Sequence, residues 1–247
     1  MNRWQQFGVG LGAYAIALVA TAPASLIDSG VQQATEGRVR LAEADGTLWS
    51  GTGLIEIRDR LQRSGVAKNI TWQLQPAYFL RGQLRYDLGL DLAAKRFPVT
   101  ISVAGIEVAD ADINLPAAAL GLAIPKLAPL GLTGDALLHV ARLSFTRAAI
   151  QGSATLQWHG AGSAFTRVSP LGDYELRLDG EGAAVRASLR TLQGPLQLDG
   201  QGSWKSGANP AFRGTARIPP EQRQQLSPLM RMIAVERSEG SFELVLN

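Results

Sequence analysis

Apolar residues at every second position recur along most of this chain. Ile70, Trp72 and Leu74 alternate with Thr71, Gln73 and Gln75. Leu84, Tyr86, Leu88, Leu90 and Leu92 alternate with Arg85, Asp87, Gly89 and Asp91, and Val99, Ile101 and Val103 enclose Thr100 and Ser102. The pattern returns at Ala154, Leu156 and Trp158, at Tyr174, Leu176 and Leu178, and at Val185, Ala187 and Leu189. It closes with Leu196 and Leu198, then Phe242, Leu244 and Leu246. A period of two puts each apolar set on one face of a sheet and the polar set on the other. Asp179-Gly180, Asp199-Gly200 and Gly134-Asp135 suit tight turns, because glycine accepts the positive φ that hairpins need. The expected fold is all-β and mainly antiparallel, an extended curved or curled sheet with one apolar face.

Two stretches depart from this period. Asn114-Leu115-Pro116, followed by alanines and leucines to Leu122, predicts a capped short helix with Pro116 in its first turn and Pro125 ending it. Residues 220–235 predict a second, with Leu226, Leu229, Met230 and Ile233 at helical spacing. Each half then reads as strands, a short helix and a strand, with residues 122–134 as the seam.

The opening of the chain has neither period. From Phe7 to Ile27 no charged residue occurs, a run of 21 residues. As a helix it would rise roughly 30 Å, the hydrocarbon thickness of a bilayer. Arg3 precedes the run and Asp28 follows it. The positive-inside rule then predicts a cytoplasmic segment at 1–6, a transmembrane anchor at 7–27 and an exported β-rich domain at 28–247. A cleaved signal peptide is the rival reading, since Ala20-Thr21-Ala22 and Ala22-Pro23-Ala24 have small residues at cleavage spacing. Gly8 and Gly12 stand four apart within the run, a spacing at which two membrane helices can pair closely.

Composition narrows the functional classes. Hydrophobic residues make up 46% of the chain and charged residues 18%, with 27 glycines, too apolar for disorder and too glycine-rich for a helical bundle. The net charge of +3 comes from singly scattered arginines and gives no footprint for nucleic acid. The absence of cysteine removes disulfides, thiolate metal sites and cysteine nucleophiles together.

Catalytic motifs are lacking, and no cofactor or metal site is expected. His139 and His159 are the only histidines, and neither has a carboxylate at metal-ligand spacing on a helix. No Gly-x-Ser-x-Gly and no Walker loop occurs. Asp87 with Asp91, and Asp110 with Asp112, are spaced to share a strand face, but no third ligand accompanies either pair. The expectation is a protein that is not an enzyme.

Several motifs carry a resemblance. Gly46-Thr47-Leu48-Trp49-Ser50-Gly51 follows the apolar run after a short spacer. Trp72-Gln73-Leu74-Gln75-Pro76 and Leu80-Arg81-Gly82-Gln83-Leu84 come next, then Ser169-Pro170-Leu171-Gly172-Asp173-Tyr174. Gly200 to Trp204 and Phe212-Arg213-Gly214 precede the second predicted helix. In these the chain resembles, nearly end to end, the type II secretion system protein N family. The resemblance implies an accessory inner-membrane component of the machine that moves folded periplasmic proteins through the outer membrane. It implies the inner-membrane protein C and the secretin, protein D, as partners. The family is in turn distantly similar to the AsmA-like group, whose curled sheets form an apolar groove for membrane lipid, a likeness of fold alone.

Gly46 and Gly51 bracket a strand start, and Trp49 is expected to fill a core or groove position. The segment then serves either as architecture or as a docking edge. Two functions remain in view: a scaffold that recruits neighbours along open sheet edges, and a lipid carrier whose apolar face two short helices cannot cover.

Overall fold

The computed structural model describes residue 14 and residues 17–58, 65–91, 95–146, 148–205, 208 and 211–246. The chain forms two compact units, the first Met1–Phe79 with Leu84–Arg96, the second Leu80–Gln83 with Phe97–Asn247. Both are antiparallel open sheets with a few short helices, as the period of two predicts.

The first unit contains α1 (Ser25–Ala34), β1 (Val39–Gly46), β2 (Ser50–Arg58), β3 (Gly65–Gln75) and β4 (Gln83–Leu90). Each strand pairs antiparallel with the next, with Leu41 opposite Ile55, Gly51 opposite Trp72 and Trp72 opposite Leu88. A 3-10 turn, Pro76–Arg81, joins β3 to β4. Ala24, Leu41 and Trp72 form the core, with Ile27, Ile70, Tyr86 and Leu88 packed around them. Burial in this cluster raises the pKa of Tyr86.

From the sequence, Ser25–Ile27 of α1 were expected to end the anchor and the rest of the helix to be spacer. No side chain caps it, Gly30 interrupts it, and of its apolar residues Ile27 packs on the core of the sheet. What fixes it is tertiary. Asp28 Oδ1 accepts the Leu41 N–H at 2.8 Å, and Asp28 Oδ2 accepts from Gln32 Nε2 at 2.6 Å. The Gln32 amide above all, joined by the Leu41 N–H and the Arg40 charge, holds the Asp28 carboxyl below its usual range against the opposing effect of burial.

The second unit runs β5 (Phe97–Ser102), β6 (Gly105–Pro116), α2 (Ala118–Ala123), β7 (Leu132–Thr146), β8 (Ile150–Ser163), β9 (Gly172–Gly182) and β10 (Ala184–Gln193). It continues with β11 (Gln197–Lys205), β12 (Phe212–Arg217), α3 (Arg223–Met230), β13 (Val235–Ser238) and β14 (Ser241–Leu246). Neighbours in sequence are neighbours in the sheet as far as β12, which pairs with β14 and leaves β13 on the edge. The core lies where α3 covers the last strands: Leu226, Leu229 and Met230 pack with Phe242, Ala216, Ile218, Leu171 and Leu196.

Three local expectations need correction. Asn114 and Pro116 cap no helix. They belong to β6, opposite Leu137 and Asp135, and α2 starts only at Ala118. Gly180 and Gly200 lie within β9 and β11 rather than at turns. A Cβ on Gly200 would stand 2.4 Å from Phe212 Cζ, so this glycine is a hole for a neighbouring ring. Gly134 likewise lies within β7, at a bulge opposite β8. The second predicted helix ends at Met230 instead of 235: Met232 and Ile233 donate three residues back, and the tightened turn feeds β13. Residues 122–134 carry the end of α2 and a 3-10 segment, Pro125–Leu130, inside the second unit.

Candidate functional site

The most heavily bonded cluster of the first unit is the turn between β1 and β2, residues 46–51. Gly46 adopts φ 102°, which a β-carbon would strain, and opens the turn. Thr47 closes it: its N–H donates to Ser50 O at 2.9 Å, and its hydroxyl accepts the Trp49 and Ser50 N–H groups at 3.2 and 3.3 Å. Trp72, 5% exposed, donates from Nε1 to Thr47 O at 2.9 Å. Its ring lies over Gly51, where a Cβ would meet Trp72 Cζ2 at 2.4 Å. The glycine exists because the indole occupies its side-chain space.

The same turn grips the chain that precedes the sheet. Residues 17–20 are helical, and Thr21 ends that stretch by donating from both N–H and hydroxyl to Ala17 O. Leu48 N–H donates to Ala22 O at 2.8 Å, Ala24 N–H donates to Gly46 O at 3.3 Å, and Pro23 bridges Thr47. Trp49 Nε1 donates to Val19 O at 2.9 Å. On its other side the Trp49 ring meets Phe79 edge to face, centroids 6.0 Å apart. Phe79 belongs to the 3-10 turn that Pro76 begins. One tryptophan thus joins the end of the N-terminal helical stretch, the β1–β2 turn and the 3-10 turn. Residues 22–24, at the end of the apolar run, pack on the sheet, and Ala24 is 2% exposed.

The second motif serves the second unit. A cis peptide joins Ser169 to Pro170, and Leu171 and Tyr174 are buried. The Tyr174 hydroxyl lies 3.1 Å from Leu171 O and 2.9 Å from Leu196 O, tying the β8–β9 connection to the start of β11. Burial, and then the Asp173 charge, push the Tyr174 pKa up. Asp173 accepts the Gly160 N–H at 2.7 Å and Gln193 Nε2 at 2.6 Å, and these bonds hold its carboxyl low. A Cβ on Gly172 would stand 2.9 Å from the Tyr174 hydroxyl. These are packing roles.

The apolar face of the second unit is continuous across its strands. Ile113, Leu138, Leu156, Leu176 and Leu189 are successive cross-strand partners from β6 to β10. Nearer the other end Ile101, Ile106, Phe145 and Ile150 form a parallel row. Ile101, Ile106 and Phe145 are 39–45% exposed, and the hairpin-tip Val103 is fully exposed.

Among the described residues, the histidines singled out in the sequence, and Asp87, Asp91 and Asp112 of the paired acids, meet local partners. His139 Nδ1 lies 2.6 Å from Asp112 Oδ1, while His159 approaches Asp173 only to 3.7 Å. The Asp87 carboxylate accepts from Gln75, and Asp91 pairs with Lys68. Among the described residues no three His, Cys, Asp or Glu side chains gather as a metal site. Nor is any helix among them long and apolar enough to cross a membrane. Gly8 and Gly12, and most of the predicted anchor, lie outside the described residues. Phe79 was not singled out in the sequence, although Leu80 beside it belongs to a quoted motif; two adjacent apolar residues after Pro76 fit neither period, and that misfit was the available signal.

Fold and site together define an all-β, antiparallel open-sheet protein whose strongest motif is an attachment turn. A family model for type II secretion system (T2SS) protein N matches residues 37–245, and the chain belongs to that family. The family is a secretion accessory component and not a known enzyme family. No curated protein and no solved structure matches the chain.

Proposed function

We propose that this protein is an inner-membrane-anchored accessory subunit of the type II secretion apparatus, with its two β-units in the periplasm, where they scaffold neighbouring components. The family match over residues 37–245 carries the reading. The apolar run that starts at Phe7, free of charge and with Arg3 before it, supports a single anchor with a cytoplasmic N-terminus. Because residues 22–24 pack on the first sheet, the membrane stretch is taken to end at residue 21. The edge strand β13 offers a docking rail, since all four of its residues are exposed and, among the described residues, no strand pairs with its outer side. Protein C and the secretin, protein D, are the expected partners. The test is affinity purification of the tagged full-length protein from gently solubilised membranes. Recovery of both proteins supports scaffolding, and recovery of neither under conditions that keep them folded refutes it.

A second reading is favoured by one observation, the continuous apolar face of the second unit with Ile101, Ile106 and Phe145 left exposed. Such a face suits acyl chains, and the protein would then bind or transfer membrane lipid. Mass spectrometry of the gently purified protein decides: co-purifying phospholipid supports this reading, and its absence counts against it.

A further inference from the structure

We propose that the first unit rests on the outer leaflet of the inner membrane through an interfacial foot centred on Trp49 and on Tyr78 and Phe79 of the 3-10 turn that Pro76 begins. This rests on the reading of the opening run as a membrane anchor, and adds a second membrane contact supplied by the folded unit itself.

Three observations point to lipid as the occupant. The exposed apolar residues gather where the run leaves the fold. Leu18 and Val19 are 54% and 57% exposed, Phe79 is 41% exposed, and Leu80, next along the same turn, is 95% exposed. The Trp49 indole links the first pair to Phe79 by its bond to Val19 O and its edge-to-face contact. The patch is therefore continuous with the charge-free run and not an isolated surface feature.

Length gives the second. If the run ends at residue 21, it has 15 residues from Phe7. As a helix these would rise about 22 Å, roughly 8 Å short of a bilayer's hydrocarbon core. A short span is accommodated by thinning the bilayer and drawing its flanks into the interface. The flank here is Trp49 and the aromatic 3-10 turn, the residue types that favour the headgroup level.

The third is polar satisfaction. Near hydrocarbon, the carbonyls at a helix end must find donors. Here Ala17 O accepts from Thr21, Val19 O from Ala22 N–H and Trp49 Nε1, and Ala22 O from Leu48 N–H. Within the turn, Tyr78 is held by Arg85, which stacks 4.8 Å over its ring, donates to its hydroxyl at 2.8 Å and pairs with Asp87 at 4.0 Å.

The chain has no cysteine, so single-cysteine spin labels report cleanly. The full chain, reconstituted in phosphatidylethanolamine–phosphatidylglycerol vesicles, is labelled in turn as Phe79→Cys, Leu80→Cys, Ala67→Cys and Val9→Cys. Accessibility to oxygen and to a water-soluble nickel chelate is then read at each site. Ala67 is exposed on β3, nine residues before Pro76, about 30 Å along an extended strand. The proposal expects positions 79, 80 and 9 to be accessible to oxygen and shielded from nickel, and position 67 to be open to nickel. Nickel-accessible labels at 79 and 80 with a shielded label at 9 overturn the foot and leave the anchor standing. Nickel access at 9 as well sinks both. Leu80→Cys guards against a folding artefact, because that side chain is almost wholly in solvent.

Discussion

Adding one methyl group at Gly51 probes the attachment turn at its tightest point. A Cβ there would stand 2.3 Å from Asp45 O and 2.4 Å from Trp72 Cζ2. Neither backbone nor a ring buried to 5% exposure can retreat without moving its neighbours. Overpacking of this kind costs about 1–3 kcal/mol. Trp72→Ala removes the ring and its bond to Thr47 O, at a cost of about 3–5 kcal/mol as a buried tryptophan. The informative quantity is the coupling. In the Gly51→Ala/Trp72→Ala double variant the ring half of the clash has gone, so the costs should fall short of additive by about 1 kcal/mol or more. Two-state analysis of a two-unit chain is unsafe, so the assay is hydrogen exchange resolved to peptides of β1–β3 in the full protein. Strict additivity, or loss of protection confined to the second unit, would refute the claim that Gly51 is small because Trp72 lies on it.

Further expectations follow from single side chains. The Asp28 pKa is lowered in the fold, so its contribution is present above the unfolded carboxylate value, about 3.9, and fades as pH falls through the lower folded value. Asp28→Asn should therefore narrow its stability deficit in acid; a deficit unchanged from neutral to acidic pH contradicts this. Tyr174→Phe leaves Leu171 O and Leu196 O without the buried hydroxyl and should destabilise the second unit by about 1–3 kcal/mol in urea titration. A neutral effect would mean the hydroxyl pins nothing. Phe242→Ala, at a wholly buried position under α3, should cost about 3–5 kcal/mol and expose α3 to proteolysis, and unchanged cleavage would contradict that packing.

The period of two was legible because sheets with one buried face repeat it strand after strand; β3, β10 and β11 follow it closely. Elements whose cause lies elsewhere in the chain stayed hidden. α1 exists because Asp28 reaches the Leu41 N–H, thirteen residues away, and no local cap announces it. Asp-Gly pairs misled because the same glycine that frees a turn also makes room for a ring, and at Gly200 the ring of Phe212 decided. The Gly46–Gly51 bracket was readable as a strand start, but Trp49, expected in a core or groove position, is only half-buried, and the core indole is that of Trp72. The hold of Trp49 on Val19 O, thirty residues earlier, was not readable, because a backbone acceptor leaves no mark in sequence. Histidines and paired acids read as ordinary surface groups, and their partners are ordinary: Gln75, Lys68 and one another.

The role proposed for this chain is service to type II secretion from the membrane. Its most direct test is deletion in the native host, with assay of the folded proteins that reach the medium and of those held in the periplasm. The account predicts periplasmic retention, relieved by the full-length chain but not by a version lacking residues 1–21. Undiminished export in the deletion strain, or full rescue by the anchorless chain, would contradict it.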